Sequence, residues 1–195
     1  MTTVLVLSIG ESPAPCLASA RHHNATHVIF FASQRSRKHA TDIERELGFQ
    51  GELVALHSDE EYDFSACYAR ARDAVRKAHE DTDHQRIVVD ITGGTKTMTA
   101  ALALAAADYH LEFAYVVSER CSDGTFKQDT ERVKPFPNPL HQFHVRELEQ
   151  LHTAWNAHDF KTVKSVLNTI QARDLPHHEV AFFKALEGLA EAFDA

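Results

Sequence analysis

Long hydrophobic runs are missing from this 195-residue chain. None approaches the ~20 apolar residues that a membrane helix needs, so a helical membrane span is not expected. Cysteine is scarce and unpatterned. Cys16, Cys67 and Cys121 are odd in number, widely spaced and form no C-x-x-C, which points to a reducing, cytoplasmic compartment. Basic charge is in deficit. A formal net charge of −8 excludes a surface that coats nucleic acid generally, though it leaves room for a local basic pocket. The N-terminus has no basic region and enters a strand at once, so no signal peptide is expected. Internal repeats and low-complexity segments are absent. So are the two common nucleotide loops, G-x-x-x-x-G-K-[ST] and G-x-G-x-x-G, which makes a nucleotide kinase or a dehydrogenase a poor fit.

What is present is the composition of a globular protein with enough core to fold, 44% hydrophobic and 25% charged. The length suits one ordinary domain and an appendage. Fourteen histidines make the true charge sensitive to pH near neutrality.

The central stretch is Arg86 to Ala107. Ile87 to Ile91 is a β-branched apolar run, as a fully buried parallel strand requires. Thr92-Gly93-Gly94-Thr95-Lys96 is a tight turn, and Thr97 to Ala107 contains strong helix formers without a breaker. Strand, glycine turn and helix together aim backbone N–H groups and a helix N-terminus at whatever lies above the strand. Lys96 adds a full charge, so the turn suits an anion, above all a phosphate. The alternative is a structural turn with an exposed lysine.

Other strands are predicted at Thr3–Ile9, Thr26–Ala32, Glu52–Leu56 and Leu111–Ser118. Helices are predicted at Pro13–His23 with Ser12 as its cap, at Lys38–Leu47 with Gly48 after it, and at Asp63–Glu80. A turn at Ser122-Asp123-Gly124-Thr125 leads to a short hairpin strand near Phe126 or Val133. Alternating strands and helices imply a Rossmann-like, doubly wound α/β domain with a mainly parallel sheet. Its ligand edge lies at the carboxyl ends of the strands, where strand order reverses. The loops brought there are Gly10-Glu11-Ser12, Ser33 to Arg37, His57-Ser58-Asp59 and Thr92 to Lys96.

Three domain segments are expected: a ligand-sensing domain over 1–134, a Pro-rich linker over 135–140 and an all-helical appendage over 141–195. Pro135, Pro137 and Pro139 suit an extended linker. Helices are predicted at Phe143–Asn156, Asp159–Ala172 and, after the breaker Pro176, His178–Phe193. Leu148, Leu151 and Trp155 form an apolar stripe on the first. The stripes need a covering surface, and the lack of a credible active site in the tail favours truncation or a partner chain. The tail helices carry too little basic charge for a DNA-recognition helix, so no direct DNA binding is expected.

Asp90-Ile91-Thr92-Gly93-Gly94-Thr95-Lys96-x-Met98, closing a strand and opening a helix, resembles the signature of CRISPR-associated Rossmann fold (CARF) domains. The Ser-Ile-Gly-Glu-Ser turn after the first strand and Phe31-Ala32-Ser33-x-x-Ser36 after the second support the likeness, which covers about Thr3 to Val133. The resemblance implies a homodimeric sensor of cyclic oligoadenylate, chiefly the four-membered ring, in a type III CRISPR system. A two-fold dimer presents one pocket twice, and a ring of even symmetry meets both halves. The implied contacts are Gly10, Glu11 and Ser12 in the first loop, Ser33, Gln34 and Arg35 in the second, and Thr92, Gly93, Gly94, Thr95, Lys96 and Met98 in the third. An effector domain beyond this chain or a partner effector is also implied, with no cofactor and no membrane. The alternative is a metal-independent ring nuclease in which a ribose 2′-hydroxyl attacks its own phosphodiester, with Lys96 and Ser12 aligning and stabilising the reaction.

Blander readings accompany several motifs. Ser8 and Ser12 suit a strand end and a helix cap. Arg35-x-Arg37-Lys38 suits a solvated face as well as the pocket beside it, and Asp90 suits bracing of its own loop through backbone N–H groups as well as ligand contact. Arg72…His79, Arg146…His152 and Arg173…His178 resemble a ribonuclease spacing, but a chain with 14 histidines yields such pairs by chance. His22-His23, His141-x-x-His144 and His177-His178 lack further ligands at metal spacing and are expected to be solvent-exposed.

Overall fold

A computed structural model describes residues 2–80, 85–119, 127, 130–171, 183–186, 188–189 and 192. The first strand, β1 (Thr2–Ile9), is buried along nearly its whole length. Its side chains alternate, Val4 and Val6 entering one core and Leu5, Leu7 and Ile9 the other. A strand covered on both faces must be apolar at both parities, which is why TVLVLSI shows no polar alternation. The same division recurs in β2 (His27–Ala32), with Ile29 and Phe31 on one face and Val28, Phe30 and Ala32 on the other.

With β3 (Glu52–Ala55), β4 (Gln85–Asp90), β5 (Glu112–Val117) and β6 (Arg132–Pro137), these strands form one sheet in the order β3-β2-β1-β4-β5-β6. All neighbours are parallel except β5 and β6. Helices α1 (Ala14–His22) and α2 (Lys38–Leu47) supply Cys16, Ala20, Ala40 and Ile43 to one core. Helices α3 (Phe64–Glu80) and α4 (Lys96–Ala106) supply Cys67, Ala71, Val75, Met98 and Leu102 to the other. The small residues of α3 and α4 let helix and sheet approach closely. Gly48 ends α2 at φ 78, a left-handed cap that glycine adopts without strain. Strand order reverses between β1 and β4, and the loops that follow these two strands therefore part to opposite faces and leave a crevice.

Several expectations change. Pro135, Phe136 and Pro137 do not form a linker: they lie in β6, antiparallel to β5, where Phe136 stacks on Phe113 at 5.7 Å between ring centroids. An edge strand leaves one row of N–H positions unpaired, so proline is tolerated there. The partner strand expected near Val133 is thus present, whereas the turn at Ser122 to Thr125, Phe126 and Cys121 lie outside the described residues. Pro13, not Ser12, occupies the cap position of α1, while Ser12 Oγ accepts from the Ala14 N–H at 3.3 Å. A 3-10 turn over Glu60–Tyr62, which has no apolar period to announce it, precedes α3.

Two compact units divide the chain, Met1–Asn138 and Pro139–Ala195. The second contains α5 (Pro139–Gln142), α6 (Val145–Asn156) and α7 (Phe160–Gln171). Leu151, Ala154, Val163, Val166, Leu167, Ile170 and Phe183 form its core. Leu148, expected in the stripe, is 37% exposed. Residues 183–186, 188–189 and 192 are helical. The rest of the expected third helix, with Pro176, Arg173…His178 and His177-His178, lies outside the described residues. Two histidines expected at the surface are buried instead, His23 and His144 at 3% and 4% exposure. His23 follows α1, where the chain turns back beneath the sheet. Burial lowers its pKa to about 4, with the charges of His22 and Arg86 acting in the same direction and Glu112 against them. Among the described residues, no helix is long and apolar enough to cross a membrane.

Candidate functional site

The crevice at the carboxyl edge holds a cavity of about 810 Å³. Its walls come from the loops after β1, β2 and β4 and the end of β5. The centre is the glycine turn. A Cβ on Gly93 would stand 2.2 Å from the Ser8 carbonyl oxygen and 2.6 Å from the Gly10 nitrogen. The backbones of two loops touch there, and no larger residue fits. Gly94 has φ +83, a conformation that L side chains rarely adopt.

Hydroxyl groups pin this turn from below. Ser8 Oγ donates to the Gly93 carbonyl at 2.8 Å, and Thr99 Oγ1 donates to the same oxygen at 3.0 Å. Thr92 Oγ1 accepts from the Val116 N–H at 2.7 Å and ties the turn to β5. Thr95 caps α4, its Oγ1 accepting from the Met98 N–H at 3.2 Å. Asp90 Oδ1 accepts from the Thr92 N–H at 2.8 Å, so its carboxylate braces the loop. Burial pushes the Asp90 carboxyl above its usual range, while hydrogen bonding toward Ser19 and Thr92 opposes the rise. Ser19 faces the carboxylate without meeting full hydrogen-bond geometry, and Asp90 Oδ2 and Ser19 Oγ are both left unpartnered. Beside them, burial and the Asp90 charge push the Cys16 thiol far up, which makes it an unreactive part of the cavity wall.

The loop after β2 is built differently. The Ser33 N–H donates to Ser36 Oγ at 3.0 Å, the Ser36 N–H donates to Ser33 Oγ at 3.2 Å, and the two hydroxyls lie 3.1 Å apart. Both serines are buried, so the pair fixes the loop from within. The loop's charge is carried outside this pair, by Arg35 and Lys38 on the cavity wall. Arg35 Nη2 lies 3.8 Å from Oε1 of Glu61, in the 3-10 turn before α3.

Of the residues expected at the site, Gly10, Glu11, Ser12, Ser33, Arg35, Thr92, Gly93, Gly94 and Thr95 line the cavity. Three expected residues do not. Met98 is fully buried beneath the turn, where it packs against Gly94, because it falls on the sheet-facing side of α4. Gln34 and Lys96 are exposed but lie outside the cavity lining. Lys38, weighed between the pocket and a solvated face, lines it, and so do Ser36, His39 and Ser118, which were not named as contacts. The basic run and the Ser-x-x-Ser spacing pointed to the first two. His39 and Ser118 become neighbours only through the crossover and the sheet register. The cavity thus combines a helix N-terminus, a glycine turn and two lysine or arginine side chains, a set suited to phosphate rather than to a neutral ligand. Among the described residues, no group of three or more His, Cys, Asp or Glu is placed to hold a metal ion.

No protein-family model matches the chain, and no curated protein sequence matches it. Solved structures do. Over 99% of its length the chain aligns with Enterococcus italicus Csm6 bound to cyclic hexa-2′-fluoro-hexa-dAMP, at a TM-score of 0.71 and 15% identity, covering 55% of that chain. Can2 from Sulfobacillus thermosulfidooxidans, in complex with cyclic tetra-adenylate, aligns over 96% of this chain and 57% of its own, at a TM-score of 0.50 and 10% identity. VC1899 from Vibrio cholerae aligns over 97% and 58%, at a TM-score of 0.50 and 12% identity. The chain therefore spans a little over half the length of these structures. The likeness establishes the fold, and it is the Rossmann-like architecture that the CARF resemblance implied.

Proposed function

We propose that this chain is the CARF-type sensor module of a type III CRISPR effector and binds cyclic oligoadenylate across a homodimer. The observation that carries the proposal is the glycine turn interlocked with the loop after β1 at the switch point. It forms one wall of a cavity that also holds Arg35 and Lys38. The fold shared with two proteins solved with cyclic adenylate ligands supports the same reading. One cavity of about 810 Å³ is of the size that suits a small ligand. A ring of several nucleotides is larger, and two copies of the cavity related by a two-fold axis would meet it from both sides. Gly10, Glu11, Ser12, Arg35, Lys38 and Thr92 to Thr95 are the proposed contacts, with phosphates on the turn and bases toward the outer loops.

Reception is favoured over cleavage. Lys96, the charge expected to stabilise the reaction, lies outside the cavity lining. Calorimetry and thermal shift with rings of three, four and six adenylates test the proposal, with sedimentation to read the dimer. Saturable binding of one ring per two chains is expected. Absence of binding by every ring at tens of micromolar would overturn it. Recovery of intact ring after hours with the protein and a chelator is the expected result for a receptor, and linear product would make it a ring nuclease.

A further inference from the structure

Glu61, like Asp90, is a buried carboxylate near the ligand edge with one oxygen unpartnered. Asp90 braces its own loop through the Thr92 N–H, whereas Glu61 has no such side-chain bond among the described residues. Glu61 is 6% exposed. Its Oε1 lies 3.8 Å from Arg35 Nη2, and its Oε2 has no hydrogen-bond partner. A carboxylate so placed is poorly compensated: burial removes water from it, and one guanidinium on a side chain that is 70% exposed returns little. Stability does not account for it. The structural tie of this turn runs through the backbone instead, where the Glu61 carbonyl oxygen faces Thr95 Oγ1 at 3.5 Å, a contact that needs no carboxylate. Local rules of this kind are broken where function requires it.

The charge has an evident target. Arg35 lines the cavity. Phosphate oxygens and a carboxylate seek the same guanidinium donors, so an anion drawn to Arg35 is drawn toward Glu61 as well. We infer that Glu61 is a counter-charge that competes with the anionic ligand for Arg35 and so sets the affinity of the cavity. The inference rests on the proposed reading of this cavity as an anion receptor. Ligand binding loosens the Arg35–Glu61 pair and with it the side-chain tie between the loop after β2 and the 3-10 turn before α3. Glu61 is thus an affinity-setting residue that touches no ligand itself.

The test is a double-mutant cycle on the full chain. Cyclic tetra-adenylate, cyclic hexa-adenylate and inorganic tripolyphosphate are titrated into the wild type, Glu61→Gln, Arg35→Ala and the double variant. Glu61→Gln is expected to bind a few-fold tighter, about the worth of a partly exposed ion pair that the ligand no longer has to break. The gain is expected to vanish when Arg35 is alanine. Equal or weaker binding by folded Glu61→Gln overturns the inference, and so does a gain that persists without Arg35. If Glu61→Gln fails to fold, Glu61→Met, uncharged and similar in volume, gives the same reading. Tighter binding of tripolyphosphate alone, with no ring bound by any variant, keeps the counter-charge and removes the cyclic-adenylate reading. Binding of no probe by any variant removes both.

Discussion

The turn after β4 and the turn after β2 line the same cavity with different materials. The first has no side chain at its centre. Gly93 lets two backbones touch, and hydroxyls of its own Thr92 and Thr95 and of Ser8 and Thr99 outside it hold the turn. The second carries side chains throughout. Ser33 and Ser36 lock it to itself, while Arg35 and Lys38 stand on the cavity wall. Shape and fixed dipoles therefore belong to the first turn, and mobile charge belongs to the second. In the proposed receptor, where an anion sits is thereby separated from how tightly it is held. Changes at the glycines of the first turn and at the Ser33–Ser36 lock of the second should act on folding, and changes at the charges of the second on affinity.

Gly93→Ala should have the largest effect. The new Cβ would meet the Ser8 carbonyl at 2.2 Å, and backbone cannot move aside as a side chain can. A loss of about 3 kcal/mol, the upper part of the range for overpacking, is expected in urea unfolding. A variant as stable as the wild type would mean that the two loops do not interlock. Ser36→Ala comes next. It removes an acceptor for the Ser33 N–H and the partner of Ser33 Oγ, both buried. About 1–2 kcal/mol should be lost in the same measurement.

Lys38→Ala sharpens the division between the turns. Stability should hardly change, while affinity for cyclic adenylate should fall roughly tenfold, as for loss of one charge-assisted contact to phosphate. Lys96→Ala should weaken binding less, since Lys96 lies outside the cavity lining. The reverse order in calorimetry would move the site toward α4.

The smallest effect concerns pH. The folded Asp90 carboxyl is raised by burial, so the folded state holds this proton to higher pH than the unfolded chain does. Its contribution is full below the unfolded value of about 4 and is lost as pH rises through the folded value. Asp90→Asn keeps an acceptor for the Thr92 N–H and removes the charge. Relative to the wild type, Asp90→Asn should gain stability as pH rises from acid to neutral. A constant difference between urea midpoints across that range would count against a buried, raised carboxyl. His23 gives the opposite sign. Its folded value is lowered to about 4, so its contribution is full above about 6.5 and is lost as pH falls toward 4. His23→Gln should flatten that acid limb.

The central elements were legible because their signals are local. Ile87 to Ile91 has no polar parity, Gly48 marks the end of α2, and the two glycines after Asp90 allow little but a turn. The proline segment misled because composition reports only that a residue cannot donate a hydrogen bond. Whether a donor is needed depends on which edge of the sheet the strand occupies, and β6 has an open edge. Met98 misled for a related reason. Its place in the motif suggested the ligand, but helical phase turns it under Gly94. His23 and His144 were expected in water because histidine often is, and nothing near them in the sequence announces burial.

By itself the sequence determined the alternation of strands and helices and the glycine turn at the end of the central strand. These follow from backbone preferences and apolar period, which act over a few residues. Tertiary structure alone decided that Gly93 meets Ser8 across 85 positions, that Arg35 and Lys38 rather than Lys96 line the cavity, and that Glu61 stands against Arg35. Those contacts depend on strand order and register, which bring together residues that no local pattern joins.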